Sequence, residues 1–181
     1  MKSNTSKGDT SLDKLFISQL ADMHSAEKML SKALILIAKA AQSQDLKELL
    51  ELHQKETKGH AETIEQIAAS LRVELPKKTC HAMKGLIEEG VIGMLKNIKS
   101  SVLDTALIAV GCKIEHYEIA SYGTLCRWAK ELGYARELAL LVSILNQERL
   151  ADTLLVELSQ GAGPLPEVVR RVSLEQMSPA V

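Results

Sequence analysis

Apolar residues recur along the chain at alternating spacings of three and four, which is the period of one face of an α-helix. The first such run extends from about residue 10 to residue 41, and a second extends from Leu46 to about residue 72. Only the polar stretch 42–45 separates them. A connection that short makes two helices pack antiparallel, so the pattern predicts a helical hairpin.

A break and a weaker helical segment separate this hairpin from the rest of the chain. Pro76 interrupts the periodicity because proline lacks the amide proton that a helix interior needs. A helical pattern resumes from about Cys80 to Lys99, but the three glycines within it lower its helix propensity. We therefore interpret this segment as a connection that crosses the bundle.

Two further long amphipathic runs repeat the arrangement of the first hairpin. Ser100 or Ser101 is expected to cap a third helix, which Gly133 ends. A fourth helix is expected from about Tyr134 to Gln160. Two antiparallel helix pairs joined by a crossover form a ferritin-like four-helix bundle, so the predicted fold class is all-α with this architecture.

Composition and charge agree with one helical domain, and they argue against a nucleic-acid-binding, membrane or secreted protein. Only 3% of the residues are aromatic and the net charge is -1, which leaves little to attract or stack nucleic acid. The three cysteines are an odd number, so they cannot all pair in disulfides within the chain. No apolar run is long enough for a membrane span, and the polar N-terminal residues do not resemble a secretory signal. We expect a cytoplasmic protein with a flexible segment over residues 1–9, the bundle over 10–161, and a tail over 162–181 that carries a short helix near 167–172.

The apolar stripe of each long helix is interrupted about midway by residues that can bind metal. Burying a lone carboxylate is costly unless another group pairs with it or neutralises it. In an antiparallel bundle the midpoints of the helices share one layer, so these residues are expected to converge there. The interrupting residues are Glu27 in the first helix, Glu56 and His60 in the second, Glu118 in the third, and Glu148 and Asp152 in the fourth.

The two hairpins place these residues at matched positions, which suggests an internal repeat. The pairs Glu27 and Glu118, Glu56 and Glu148, and His60 and Asp152 are separated by 91, 92 and 92 residues. Five carboxylates in one buried layer repel one another unless protons or cations compensate them, and two divalent metal ions would do so. Oxygen and imidazole ligands suit iron, which we expect first, as well as manganese or zinc. Bridging roles are assigned to Glu56 and Glu148.

Some neighbouring residues have open assignments. His53 lies on the stripe, but its repeat counterpart is Leu145, which favours a hydrogen-bonded core histidine over a ligand. Glu115 lies beside the stripe and is either an extra carboxylate at the site or a residue that orients a ligand. Tyr122 is interpreted as a packing residue that could reach the centre. For each glutamate taken singly, the alternative is an exposed carboxylate on a helix whose inward face was misassigned. For all four glutamates together, it requires the same misassignment in four helices.

Six short motifs within roughly residues 12–160 carry a resemblance to a known bacterial family. They are Ser25-Ala-Glu-Lys28, Glu56-Thr-Lys-Gly-His60, Ala82-Met-Lys-Gly-Leu-Ile-Glu-Glu89, Ile114-Glu-His-Tyr-Glu-Ile-Ala120, Tyr122-Gly-Thr-Leu125 and Glu148-Arg-Leu-Ala-Asp152. At these motifs the chain resembles the ferritin-like stress-response proteins of the YciE/YciF type. The resemblance implies a ferritin-like fold, a homodimer and a metal site. Family members often carry Tyr-Asp where this chain has His24-Ser25, so no role for that tyrosine is carried over.

These observations favour a di-iron or di-manganese protein that handles oxygen, peroxide or iron under stress. The competing hypothesis is a non-catalytic helical module for dimerisation or partner binding. In that case protonation and internal hydrogen bonds, rather than metal ions, stabilise the buried polar residues. A ferritin storage cage is less favoured, because nothing in the sequence indicates a shell-forming assembly. Whether the chain turns over a substrate is left open, since the sequence contains no phosphate loop, nucleophile elbow or basic run.

Overall fold

The structure is a computed structural model that describes residues 11–161. The predicted N-terminal segment and the whole of the predicted tail, with its predicted short helix near 167–172, lie outside those residues. The described part of the chain is all-helical and contains α1 (Ser11–Ala40), α2 (Gln44–Leu71), α3 (His81–Asn97), α4 (Leu103–Glu131) and α5 (Ala135–Ser159). These bounds lie within a few residues of those that the periodicity predicts.

The four long helices form two hairpins, and α3 crosses between them. α1 packs along α2 and α4 along α5, while α1 also contacts α4 and α2 also contacts α5. α3 lies mainly against α4 and also touches α1. The predicted ferritin-like bundle with a helical crossover is therefore confirmed. None of the helices described between residues 11 and 161 is both long enough and apolar enough to cross a membrane.

The beginning of α4 differs from the prediction. Neither Ser100 nor Ser101 caps the helix, since the N-cap residue is Val102 and its side chain offers no capping hydrogen bond. Ser100 Oγ instead accepts a hydrogen bond from the Val102 N–H at 3.3 Å. Asp104 supplies the negative charge in the first turn of α4 and accepts a hydrogen bond from the Gln42 N–H at 2.8 Å. The acidic residue thus ties this helix end to the α1–α2 turn.

Two glycines allow the helices to approach closely on one side of the bundle. A Cβ at Gly90 of α3 would lie 2.8 Å from Cγ1 of Val110. A Cβ at Gly111 of α4 would lie 2.9 Å from Cδ1 of Leu155. A larger residue at either position would push its neighbour away, so these glycines set the spacing of α3, α4 and α5 beside the bundle centre.

Candidate metal centre

Polar side chains from all four long helices meet in the interior of the bundle. Each of the six is at most 4% exposed. We call this set the polar layer, and it consists of Glu27 from α1, His53 and His60 from α2, Glu115 and Glu118 from α4, and Glu148 from α5. Most polar groups buried at this depth have hydrogen-bond partners, because burial without one is costly, so the partners of these six residues decide what the layer can do.

Three residues of the layer form one potential ligand group, which we call the His60 group. Glu27, His60 and Glu148 offer ligand atoms that all lie within 4.8 Å of one another. Nδ1 of His60 is 2.9 Å from Oε1 of Glu148 and 3.6 Å from Oε2 of Glu27. The ring therefore presents one nitrogen to two carboxylates from different helices.

Two hydrogen bonds hold the outer side of the His60 group in place. Nε2 of His60 lies 3.0 Å from Oε1 of Gln147, and because that oxygen can only accept, Nε2 donates. The fully buried Tyr122 donates its hydroxyl proton to Oε1 of Glu27. Tyr122 is therefore more than the packing residue that the sequence suggested. Partners of this kind fix the orientation of metal-binding side chains in known sites.

The remaining residues form a second potential ligand group, which we call the His53 group. His53, Glu115, Glu118 and Glu148 offer ligand atoms within 4.8 Å of one another, so Glu148 belongs to both groups. Nε2 of His53 is 3.1 Å from Oε1 of Glu115. Nδ1 of the same ring is 3.8 Å from Oε2 of Glu56, which is 25% exposed and lies at the edge of the layer.

The layer leaves many of its polar atoms without hydrogen bonds. Within residues 11–161, nine buried side-chain nitrogen or oxygen atoms have no hydrogen-bond partner, and eight of them belong to the polar layer. Both oxygens of Glu118 and both of Glu148 are among them. Nδ1 of His60 is another, so its short approach to Glu148 lacks the geometry of a hydrogen bond. Atoms that converge without bonding one another are arranged as ligands of a shared cation would be.

The pKa values of the carboxyl groups reflect burial and crowding. Burial raises the pKa of Glu118 well above its usual range, and the charges of Glu27 and Glu148 raise it further. Burial likewise raises the pKa of Glu27, against the opposing effect of His60, and raises the pKa of Glu115 to about 7. Burial would also raise the pKa of Glu148, but the two imidazoles outweigh it and lower that pKa. Glu148 is thus the most readily ionised of these four acids.

The two imidazoles have raised pKa values for the complementary reason. Burial would lower the pKa of His60, but Glu148 and Glu27 outweigh it and raise the pKa to about 10. Burial would also lower the pKa of His53, but Glu115 and Glu56 outweigh it and raise the pKa well above the usual range. Without a metal, the surroundings of the layer therefore favour the protonated forms of the two imidazoles and of Glu118. A bound cation has to displace such protons from its ligands.

The predicted site residues separate into two sets. Glu27, His60, Glu118 and Glu148 come together in the layer. Glu56 and Asp152 belong to neither ligand group, and their side chains are 25% and 21% exposed. Oδ2 of Asp152 lies 3.3 Å from Nε2 of the exposed His116, although its Oδ1 is buried without a hydrogen bond. The assignment of each residue as a ligand stays a prediction.

Two residues of the layer received less weight in the sequence-based interpretation. His53 was interpreted as a core histidine, and it is indeed buried, but its ring also meets Glu115. Two spacings carried the missing signal. His53 precedes His60 by seven residues, which returns to nearly the same side of a helix, and Glu115 precedes Glu118 by three.

Comparison with known proteins places the chain among bacterial relatives. The family described as "Domain of unknown function (DUF892)" matches residues 11–164. Protein YciF from Escherichia coli (strain K12) is 40% identical over 149 residues, which cover 82% of this chain and 90% of that protein.

Solved structures show the same similarity. The crystal structure of the Escherichia coli stress protein YciF matches with a TM-score of 0.77 at 39% identity, covering 83% of this chain and 95% of that one. YcfI from Rhodopseudomonas palustris, a proposed structural protein, matches with a TM-score of 0.77 at 34% identity, covering 86% and 97%. A protein from Xanthomonas campestris pv. campestris has a TM-score of 0.67 at 20% identity, covering 93% of this chain and 100% of that one, and shows the fold alone.

Proposed function

The chain belongs to the DUF892 family, and from its buried polar layer we propose that it binds two divalent metal ions and handles oxygen, peroxide or iron in a stress response. Iron is the expected metal, with manganese or zinc as alternatives, because carboxylate and imidazole ligands accept all three. One ion would be held by the His60 group and the other by the His53 group. Glu148 belongs to both groups and would bridge them.

The observation that carries this proposal is the set of eight layer atoms without hydrogen bonds. A buried donor or acceptor without a partner costs about 1–3 kcal/mol, and charged groups cost more. Two divalent cations would neutralise the layer's four carboxylates, leaving both imidazoles neutral as metal binding requires. Protonation alone also neutralises the charges, but each added proton supplies a single hydrogen-bond donor, whereas one cation can contact several of these oxygens.

The chain's own residues would set the geometry of such a centre. Gln147 and Tyr122 would hold His60 and Glu27 in position through the hydrogen bonds they already make. Glu56, which the sequence suggested as a second bridge, would instead orient the His53 ring from 3.8 Å. When bound, redox-active ions would supply the electron transfer that reactions with oxygen or peroxide need.

A second candidate function is a non-catalytic module that uses the same bundle for dimerisation or partner binding. Two observations favour it: the relative YcfI is a proposed structural protein, and the apolar side chains of Ile92, Leu95 and Ile98 on and just after α3 are 54%, 59% and 48% exposed. This alternative predicts no effect of metal on folding stability. The two functions are therefore separable by one measurement.

The experiment is thermal unfolding of metal-free protein with and without added Fe(II), Mn(II) or Zn(II), combined with metal analysis after reconstitution. An ion at 100 times its dissociation constant stabilises the folded state by about 2.7 kcal/mol, which raises Tm by roughly 5–11 °C for a chain of this size. We expect about two ions per chain to remain bound, since binding is linked to folding. Fewer than about one ion per chain, with no shift in Tm, would refute the proposal.

A further inference from the structure

An apolar cavity lies beside the His53 group, inside the bundle. Fourteen residues line it, and twelve of them are apolar side chains or glycine. The two exceptions are His53 and Glu115, so the polar end of the cavity is also one side of the candidate metal centre. All but two of the lining residues are buried, and the exceptions, Val110 and Gly111, mark the end towards the surface.

The size of the cavity limits what it can hold. Its volume is ≈ 30 Å³, measured as the space open to the centre of a water-sized molecule. On this measure one water needs about 10–15 Å³, so the cavity has room for a molecule of about two to three heavy atoms. An organic substrate would not fit. Gly90 and Gly111 line the cavity, and a Cβ at either would lie 2.8 or 2.9 Å from the side chain of Val110 or Leu155, so there is no spare space beside these glycines.

The polarity of the walls selects among the small molecules that fit. A buried water needs two to four polar partners, and hydrogen peroxide carries two hydroxyl groups that lose hydrogen bonds on entering an apolar space. His53 and Glu115 offer such partners at one end of the cavity only, and the other twelve lining residues have no polar side-chain atom, so the rest of the space is apolar. Dioxygen has no hydrogen bonds to lose. Apolar cavities of this kind stay dry and take up apolar gases such as xenon.

We propose that this cavity is a binding site for dioxygen, which it holds against the His53 side of the centre. This inference rests on the proposed function, because a bound gas has a role only if a metal centre lies beside it. Of the proposed substrates oxygen and peroxide, it selects dioxygen. The site itself requires no metal, because its walls are formed by the folded chain. It can therefore be tested on the metal-free protein.

The test uses the paramagnetism of dioxygen, which speeds the nuclear relaxation of methyl groups next to it. Metal-free protein is measured by methyl NMR under nitrogen and then under oxygen. We expect the methyl groups of Ile114 and Leu155, which line the cavity, to relax severalfold faster under oxygen than those of Leu20 and Leu141, which are fully buried elsewhere. Equal enhancement at both sets would overturn the proposal.

A matched pair of variants assigns the effect to the cavity. Leu107→Phe places a larger side chain in the cavity wall and is expected to abolish the excess relaxation at Ile114 and Leu155. Leu103→Phe changes an equally buried leucine one turn earlier on α4, outside the cavity, and should preserve the excess. If Leu107→Phe does not fold, the wild-type comparison of methyl groups still decides the question.

The outcomes also separate this inference from the proposed function. A chain that binds metal but shows no excess relaxation at the cavity refutes the dioxygen site alone. A chain that shows the excess but retains no metal supports the gas site and refutes the metal function alone. Xenon under pressure is an independent probe, and its failure to perturb the same methyl groups would count against the cavity as a gas site.

Discussion

The two ligand groups that share Glu148 are supported very differently by the surrounding protein. In the His60 group, Gln147 and Tyr122 make hydrogen bonds to the outer atoms of His60 and Glu27. In the His53 group, Glu118 has no hydrogen bond at either oxygen, and Glu115 leaves one oxygen unpaired. The first group is oriented by hydrogen bonds from the folded chain. In the second, carboxyl groups lie close together with fewer hydrogen bonds to orient them.

This difference shows that one bundle can combine a metal site whose ligands are already oriented with a site whose ligands need the cation to hold them in place. Preorganised ligands lose little freedom when an ion binds, so the His60 group is expected to bind first and more tightly. A cation in the His53 group must first displace the proton that burial and neighbouring carboxylates favour on Glu118. Because this cost weakens binding, its occupancy should have the smaller effect on folding stability.

The largest expected effect follows from changing the shared residue. Glu148→Gln removes the one carboxylate that belongs to both groups and the partner of His60 Nδ1 at 2.9 Å. We expect the bound metal to fall from about two ions per chain to fewer than about 0.5, and the metal-dependent rise in Tm to disappear. Metal analysis and thermal unfolding measure both.

The control for this variant is Glu62→Gln, which changes an exposed carboxylate on the same bundle. It should keep both ions and the full rise in Tm. Retention of two ions by Glu148→Gln would show that the two groups do not share this ligand.

The next effect distinguishes the two groups by changing Glu118 alone. Glu118→Gln is expected to remove the ion of the His53 group and leave about one ion per chain. The metal-free variant should also be more stable than wild type at pH 8, by about 1–3 kcal/mol, because the buried carboxyl group must take up a proton or hold a charge on folding at that pH, whereas the amide cannot ionise.

The pH dependence of that gain has a definite sign. The pKa of Glu118 is raised in the folded state above its unfolded value, because burial disfavours the charged form. Below the unfolded pKa both states are protonated and the ionisation of this group does not affect the free energy of unfolding, whereas its destabilising effect grows as pH rises above that value. The variant should therefore match wild type near pH 4 and exceed it at pH 8 in denaturant unfolding. A gain of equal size at both pH values would contradict the electrostatic explanation.

A smaller effect is expected from removing a support of the His60 group. Gln147→Leu deletes the acceptor that holds Nε2 of His60 at 3.0 Å and leaves every ligand in place. Loss of such a partner typically weakens metal binding by about 10–100-fold. Titration with Zn(II) should show this loss at one of two sites, while Gln19→Leu, another half-buried glutamine, should leave both unchanged. Equal weakening at both sites would indicate general damage to the bundle.

The fold could be predicted from the sequence almost completely, because helix periodicity and helix ends are local properties. The apolar spacing gave α1 and α2 within two residues of their observed bounds. The start of α4 was the exception, since its N-cap Val102 makes no side-chain capping hydrogen bond and Asp104 ties the helix end to residue 42, which is distant in sequence. That contact depends on how the hairpins pack, and no local pattern records it.

The candidate site could be predicted only in part. A small error in the phase of a helix leaves its bounds unchanged but alters which side chains point into the bundle. A step of four residues turns a helix by about 40° beyond a full turn, so neighbours on one stripe differ in depth. Glu56 and Asp152 fall at the edge of the layer for this reason, while His53 lies within it. The internal repeat argued against His53 because its counterpart is Leu145, yet the two hairpins bury different residue types at matched positions.

The smallest expected effect is at Glu56, the repeat counterpart of Glu148. Because Glu56 is 25% exposed and touches the centre only through His53 at 3.8 Å, Glu56→Gln should weaken metal binding by less than about tenfold and keep both ions. The same Zn(II) titration, run beside Glu148→Gln, measures the contrast. If Glu56→Gln instead removed an ion as Glu148→Gln does, Glu56 would have to turn inward when metal binds. The matched glutamates of the two hairpins would then form the bridging pair, and the observed asymmetry would belong to the metal-free state.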